Sequence, residues 1–160
     1  MAGGWQVPEP EPGPAPGLAY AGYGERLVAY IVDAIILCVV FFAIAVVSLA
    51  VFAGGAVSGS VSTAVGGGFL LVIAFFVVSI GYFPFFWSRS GATPGMKMFG
   101  LQVVRDIDGG PISGGQAVLR LIGYWVSGAV FYLGYIWIFV DKRRRGWHDL
   151  IAGTVVVQSR

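Results

Sequence analysis

The apolar residues of this chain fall into three long stretches, and most of the charge lies between or after them. The first stretch, Leu27 to Ala53, holds a single charged residue, Asp33. As a helix at ~1.5 Å per residue it would reach about 40 Å. That exceeds a ~30 Å hydrocarbon core, so a tilted or protruding transmembrane helix is predicted. The second stretch, Phe69 to Trp87, is about one bilayer thick. It ends in Tyr82-Phe83-Pro84-Phe85-Phe86-Trp87, which reads as an aromatic belt with a proline kink. Gly54 to Gly68, between the two, is uncharged and rich in Gly, Ser and Thr, which predicts a short flexible loop.

The polar segment 88–116 carries signals of ordered structure. Thr93-Pro94 matches an N-cap followed by proline at the first helical position, and Gly100 suits the end of that helix. Leu101-Gln102-Val103-Val104 has strand character, and Asp108-Gly109 is a hairpin turn signal. Thr154-Val155-Val156-Val157 is a second β-branched run, expected to pair with the first in a small sheet.

The third apolar stretch, Ala117 to Val140, is interrupted by Gly123, Gly128 and Gly134 and has Arg120 near its start. Its length allows one crossing. Charge argues for another arrangement. The loop between the first two stretches has no Lys or Arg. Segment 88–120 carries Arg89, Lys97, Arg105 and Arg120, and Lys142, Arg143, Arg144 and Arg145 follow the third stretch. Cytoplasmic loops carry the excess of positive charge, so both basic segments belong inside. A re-entrant hairpin broken near Ser127-Gly128 keeps them there and lets the two β runs meet. A third full span would put the four-base cluster outside. The expected fold is therefore an all-α integral membrane protein with two full spans and a third hydrophobic element, either hairpin or span. A small cytoplasmic β/loop cap completes it. The expected location is the cell membrane, with more than one pass.

Composition agrees. The chain is 57% hydrophobic and 11% charged, against about 25% charged in soluble domains. Residues 1–22 are rich in Pro, Gly and Ala, with Pro8, Pro10, Pro12, Pro14 and Pro16 at alternate positions. A disordered or partly polyproline tail is expected there, ahead of a single membrane domain over 23–157. The first stretch is too long for the apolar region of a signal peptide, about 7–15 residues, and reads as a retained span. A net charge of +2, with no basic surface interleaved with aromatics, argues against nucleic acid. Cys38 is alone, makes no internal disulfide and is expected to be an inert packing residue. One histidine and one cysteine, far apart, make no metal set, and no cofactor motif or catalytic constellation appears at convincing spacing. An enzyme is not expected.

The polar residues within, beside and after the apolar stretches are the candidates for function. Arg26 precedes Asp33 by seven residues, close to two helical turns, so they share a helix face with Tyr30 between them. A carboxylate at such depth costs roughly 2.5–3.5 kcal/mol and should face protein or water. Asp33 can be a cation or proton site, or one half of a fixed ion pair, with Arg120 the favoured counter-charge and Arg26 the other. Arg26 is expected mainly to snorkel to the interface. His148 beside Asp149 can relay a proton or be structural, and the structural role is expected. Lys142–Arg145 can contact anionic lipid headgroups, worth roughly 1 kcal/mol per residue, and set topology. Two spans do not readily enclose a pathway, so a homo-oligomer or another membrane-protein partner is expected beside the bilayer itself.

In order along the chain, these residues resemble the RDD family, named for one arginine and two aspartates. Arg26 and Asp33 open the resemblance. The string Ser90-Gly91-Ala92-Thr93-Pro94-Gly95-Met96-Lys97-Met98-Phe99-Gly100-Leu101-Gln102-Val103-Val104 is similar to the family's central segment. Arg120 and Arg145-Gly146-Trp147-His148-Asp149-Leu150-Ile151-Ala152-Gly153-Thr154-Val155-Val156-Val157 continue it, so that the resemblance covers about Tyr23 to Val157. Met96 stands where many members have lysine, which leaves the basic role to Lys97. Asp149 is the choice for the second namesake aspartate, with Asp141 behind it. The resemblance implies a transport-associated membrane module, aiding movement of a small ligand or of Na⁺ or H⁺. The alternative it leaves open is a non-transporting membrane partner or lipid-binding accessory protein.

Overall fold

The computed structural model describes residues 13–159. Leu18–Tyr20 form β1, followed by two long helices, α1 (Tyr23–Ser58) and α2 (Val61–Ser90). A short helix α3 (Pro94–Met98) leads into β2 (Leu101–Arg105). The third apolar stretch folds as α4 (Gly114–Ala129), α5 (Leu133–Ile136) and a 3₁₀ turn, Trp137–Phe139. Helix α6 (Trp147–Ala152) and strand β3 (Thr154–Ser159) close the chain. Helices α1 and α2 are each long and apolar enough to cross a membrane.

The expected loop over 54–68 is mostly helix. Helix α1 runs on to Ser58 and α2 begins at Val61, which leaves Gly59 and Ser60 as the turn. Gly59 ends α1 at φ 70°, a left-handed conformation that glycine takes without a Cβ penalty. Ser60 caps α2 by accepting from the Thr63 amide at 3.4 Å. The small residues let the two backbones touch. A Cβ on Gly55 would lie 2.3 Å from the Ala64 nitrogen, and one on Gly67 would lie 2.6 Å from the Phe52 nitrogen. Close backbone approach is how helices associate in lipid, where no hydrophobic force drives them together. That contact offsets a helix-propensity cost of about 1 kcal/mol per glycine.

The expected β pairing is present. Strands β2 and β3 are antiparallel, with Val103 opposite Val156 and Val104 opposite Val155. Thr93 caps α3 and Pro94 opens it, as read from the sequence. The tail is shorter than expected: Leu18, Ala19 and Tyr20 form a third strand on the other side of β3. Ala19 and Ala21 are buried, so residues 18–22 belong to the cap. Residues 1–12 of the expected tail lie outside the described residues. The sheet buries both faces. Val103 and Val156 pack on Trp87, Met96 and Ala117, while Val104, Val155 and Val157 pack on Leu18 and Tyr20.

The third element is bent by 112° between α4 and the α5–3₁₀ segment. Its entry follows β2 and its exit leads through α6 to β3, so both ends meet at one sheet. By length and composition the bent pair fits either a broken span or a re-entrant hairpin. The break lies at Val130–Tyr132 rather than at Ser127-Gly128, with Phe131 and Tyr132 at φ 49° and 61°. Left-handed backbone at non-glycine residues costs of order 1–3 kcal/mol each and persists only where packing holds it. The glycines serve that packing instead. A Cβ on Gly134 would lie 2.3 Å from Ser127 Oγ, and one on Gly123 would lie 2.5 Å from His148 Cα.

Gly67 offers a direct test of the α1–α2 contact. Gly67→Ala should destabilise the protein by about 1–3 kcal/mol, because the new methyl meets backbone that cannot step aside. Its neighbour Gly66 has nothing within 4 Å of a built Cβ, so Gly66→Ala should be neutral or slightly stabilising. Thermal unfolding of both variants in detergent checks the pair; equal effects would remove the close-contact explanation.

Candidate functional site

Asp33 projects from α1 and is 2% exposed. Its Oδ1 accepts from the Tyr82 hydroxyl at 2.9 Å and from the Gly95 amide at 2.8 Å. Its Oδ2 accepts from the Thr93 hydroxyl at 2.5 Å. Thr93 Oγ1 in turn accepts from the Met96 amide at 3.2 Å, so the N-cap of α3 is stitched to the carboxylate. Gly95 is required here: a Cβ would lie 2.2 Å from the Ala29 carbonyl oxygen. Among the described residues no arginine lies within ion-pair distance of Asp33, and the expected pairing with Arg120 or Arg26 is not formed. Neutral donors from α2 and α3 replace it. The sequence signal was divided: Thr93 read as a cap, Tyr82 as part of a lipid-facing belt.

The arginines converge on Asp149 instead. Asp149 is fully buried on α6. Arg120 of α4, 2% exposed, donates through Nη1 to Asp149 Oδ1 and to the Thr154 hydroxyl at 2.8 Å. The Gly146 amide donates to Asp149 Oδ2 at 3.2 Å, and His148 Nε2 stands 3.3 Å from the same oxygen. Arg26 Nη1 lies 3.8 Å from it. Arg26 does not run out to solvent as expected. It donates to the carbonyls of Arg144 at 2.6 Å and Val156 at 2.9 Å, tying the start of α1 to the loop before α6 and to β3. The Arg120 guanidinium also lies over the Trp87 ring, 4.9 Å from its centroid. Of the two aspartates weighed as partners in the motif, Asp149 adjoins Arg26, while Asp141 pairs with Arg145 at 2.9 Å.

Electrostatics follow from this packing. Burial alone would push the Asp149 carboxyl up, but Arg120, His148 and Arg26 outweigh it and hold the group well below the usual carboxylate range. His148 moves down, because burial outweighs the pull of Asp149. The ring is then neutral near pH 7 and stacks on Tyr124, with centroids 4.1 Å apart.

The basic cluster is largely consumed within the cap. Arg143 and Arg145 bind Asp106 at 3.0 and 2.7 Å, and Arg145 also holds Asp141. The Arg144 guanidinium sits 5.1 Å from the Tyr23 ring centroid. Lys142 is exposed. Cys38 is exposed on α1 rather than packed inside. Tyr82 and Trp87 of the expected aromatic belt turn inward, onto Asp33 and Arg120.

A cavity of about 470 Å³ opens between the start of α1, the end of α2, α4 and the bent segment. This is within the ~300–1,000 Å³ range of small-ligand sites. Arg26, Asp33, Trp87, Arg120 and His148 line its inner part. Leu27, Tyr30, Tyr132, Ile136 and Phe139 also line it and are each more than half exposed, forming an apolar rim. Arg26 Nε, Arg120 Nε, Trp87 Nε1 and His148 Nδ1 are buried without a hydrogen-bond partner among the described residues. Buried polar atoms nearly always have partners, so the clustering of these four here marks the site. No sequence signal located this cavity, since its walls come from four separated segments. Among the described residues no three His, Cys, Asp or Glu side chains gather as metal ligands.

Two outcomes test these assignments. Asp33→Asn places an amide among three donors and should cost about 1–3 kcal/mol, read as a lower Tm in detergent. Adding Arg120→Gln should give no rescue and roughly additive losses, since the two side chains share no bond; recovery would reveal an arginine partner after all. The second outcome concerns acid. The folded His148 value lies below the ordinary 6.5, so below about 6.5 the unfolded chain binds the extra proton and stability falls as pH falls. Asp149 acts lower: its contribution is complete above 3.8 and is lost only as pH drops beneath that. The decline in Tm between about pH 7.5 and 5 should therefore shrink in His148→Phe, which keeps a ring on Tyr124. An unchanged decline would clear His148 of the effect.

The comparisons agree with the order of motifs. The RDD family profile matches residues 20–153. The uncharacterized protein YxaI of Bacillus subtilis (strain 168) is 33% identical over 150 residues, covering 86% of this chain and 96% of that protein. No solved structure shows a significant match. With a profile match running from β1 to the end of α6, and a relative aligned over nearly its whole length, this chain belongs to the RDD family.

Proposed function

We propose that this protein is a membrane module that binds a small ligand and aids its transport as part of a larger assembly. The observation that carries this reading is the cavity, closed inside by the Arg26–Asp149–Arg120 network and open through an apolar rim. Positive-inside logic supports a cytoplasmic position for the sheet, with Arg89, Lys97, Arg105 and the 142–145 cluster on that side. The cell membrane and a two-span, one-hairpin topology follow in this reading. Two spans and a hairpin enclose no continuous path, so a second copy or a partner supplies the remaining wall.

Coupled movement of Na⁺ or H⁺ is the rival within transport. The small ligand is favoured because Asp33 already accepts three hydrogen bonds, which leaves its carboxylate little capacity for a cation. Surface contact with anionic lipid headgroups is secondary, because Asp106 and Asp141 engage Arg143 and Arg145 and leave Lys142 outermost.

The full chain in phosphatidylcholine nanodiscs should gain thermal stability from at least one class in a panel of organic acids, amines, nucleosides and amphiphiles. The same compound should enter proteoliposomes faster than empty vesicles. Binding without uptake would favour the non-transporting partner, and a Na⁺-driven pH change in the vesicles would favour the ion reading.

A further inference from the structure

We infer that the cavity takes a single acidic amphiphile: an anionic headgroup against Arg26 and Arg120, and an apolar chain leaving through the rim into the bilayer. The inference rests on the proposed small-ligand site and names the chemistry of its occupant. Charge supplies the first argument. Two guanidinium groups, Arg26 and Arg120, share one carboxylate, Asp149. Asp149 makes its close contact with Arg120 and stands 3.8 Å from Arg26, whose own Nη donors go to neutral carbonyls. That end of the cavity therefore holds one positive charge more than its partners cancel. His148 adds none, being neutral near pH 7 on account of its burial.

The unpaired donors supply the second argument. Arg26 Nε, Arg120 Nε and Trp87 Nε1 carry N–H groups with no acceptor among the described residues, and all three residues line the cavity. An anionic oxygen is the acceptor that satisfies both the donors and the charge. Asp33 also lines the cavity and would repel an anion placed against it. It lies two turns, about 10 Å, deeper along α1 than Arg26. Its oxygens are held by Tyr82, Thr93 and Gly95. The headgroup therefore belongs at the Arg26 end.

The rim supplies the third argument. Leu27 is 60% exposed, Ile136 52% and Phe139 66%, so the walls grade from buried polar groups to exposed apolar ones. Arg26 precedes the first apolar run, at the level where lipid headgroups meet hydrocarbon. An amphiphile entering sideways from the bilayer would meet the cationic end with its head while its chain stays on the apolar rim. A water-soluble anion would leave that rim without a partner.

The test uses the full chain in phosphatidylcholine nanodiscs and equilibrium binding of radiolabelled dodecanoate, corrected for empty nanodiscs. Saturable binding is expected at one molecule per chain, at least about tenfold tighter than for dodecanol or dodecylammonium. Acetate and inorganic phosphate should not displace it. Arg26→Gln should remove the preference over dodecanol, whereas Arg26→Lys, the safer variant for folding, should retain most of it. Ile136→Trp should weaken dodecanoate binding by filling the rim without touching a charge. Equal binding of dodecanoate and dodecanol would overturn the acidic class while leaving a ligand cavity in place. Displacement by phosphate would overturn the amphiphile and make the site one for a free anion. No saturable binding of any probe to folded protein, with the wider panel also silent, would overturn the cavity reading itself.

Discussion

Asp149 has no contact with water, and the elements that leave it so are the ones that must be assembled for the cap to exist. Helix α4 brings Arg120, α1 brings Arg26, β3 brings Thr154, and the carboxylate itself rides on α6. A buried charge is tolerable only when paired and hydrogen-bonded, and loss of one partner typically costs about 3–5 kcal/mol. Each element is therefore held to the others by the cost of leaving that charge alone. The network also explains the bent course of the third element. Arg120 at its start and α6 after its end are drawn to one point, and a straight crossing would separate them by the thickness of the bilayer.

Asp33 performs the corresponding task deeper in the molecule with a different set of partners. Three neutral donors spread its charge and lock α3 onto α1 and α2. The arrangement places the turn 91–95 against the membrane helix, and β2 follows from it within a few residues. One carboxylate organises the sheet side through arginines. The other organises the helix side through hydroxyls and an amide. The cavity lies between these two supports, which is why its walls combine fixed polar groups with a loosely covered apolar rim.

The glycines show how a membrane fold uses residues that would weaken a soluble one. Gly55 and Gly67 allow α1 and α2 to meet backbone to backbone, and Gly123 and Gly134 let the hairpin close on His148 and Ser127. The strain of the hairpin falls on Phe131 and Tyr132, whose left-handed backbone is held by the packing on either side. Tyr132 also lines the cavity, so the strained turn and the site share a wall.

The sequence by itself determined what depends on near neighbours and on the solvent. Two apolar runs at least as long as a bilayer is thick, with Asp33 their one charge, specify two spanning helices; Thr93-Pro94 specifies a helix start; two β-branched runs specify a strand pair. Arg26, Asp33 and Arg120 were legible as candidates for the same reason, since a charge within or beside apolar residues stands out in one dimension, while Asp149, which follows a basic cluster, was singled out through the family resemblance. Which of them bind each other was not. Arg120 meets Asp149 rather than Asp33 because α4 and α6 dock side by side, and docking is a sum over surfaces far apart in the chain. The same holds for the turn at Gly59–Ser60, where helix packing overrides the loop-forming tendency of Gly, Ser and Thr. It holds as well for β1, whose three residues gain strand structure only from the edge of β3. The cavity belongs wholly to tertiary structure, because it exists only where four segments fail to fill the space between them.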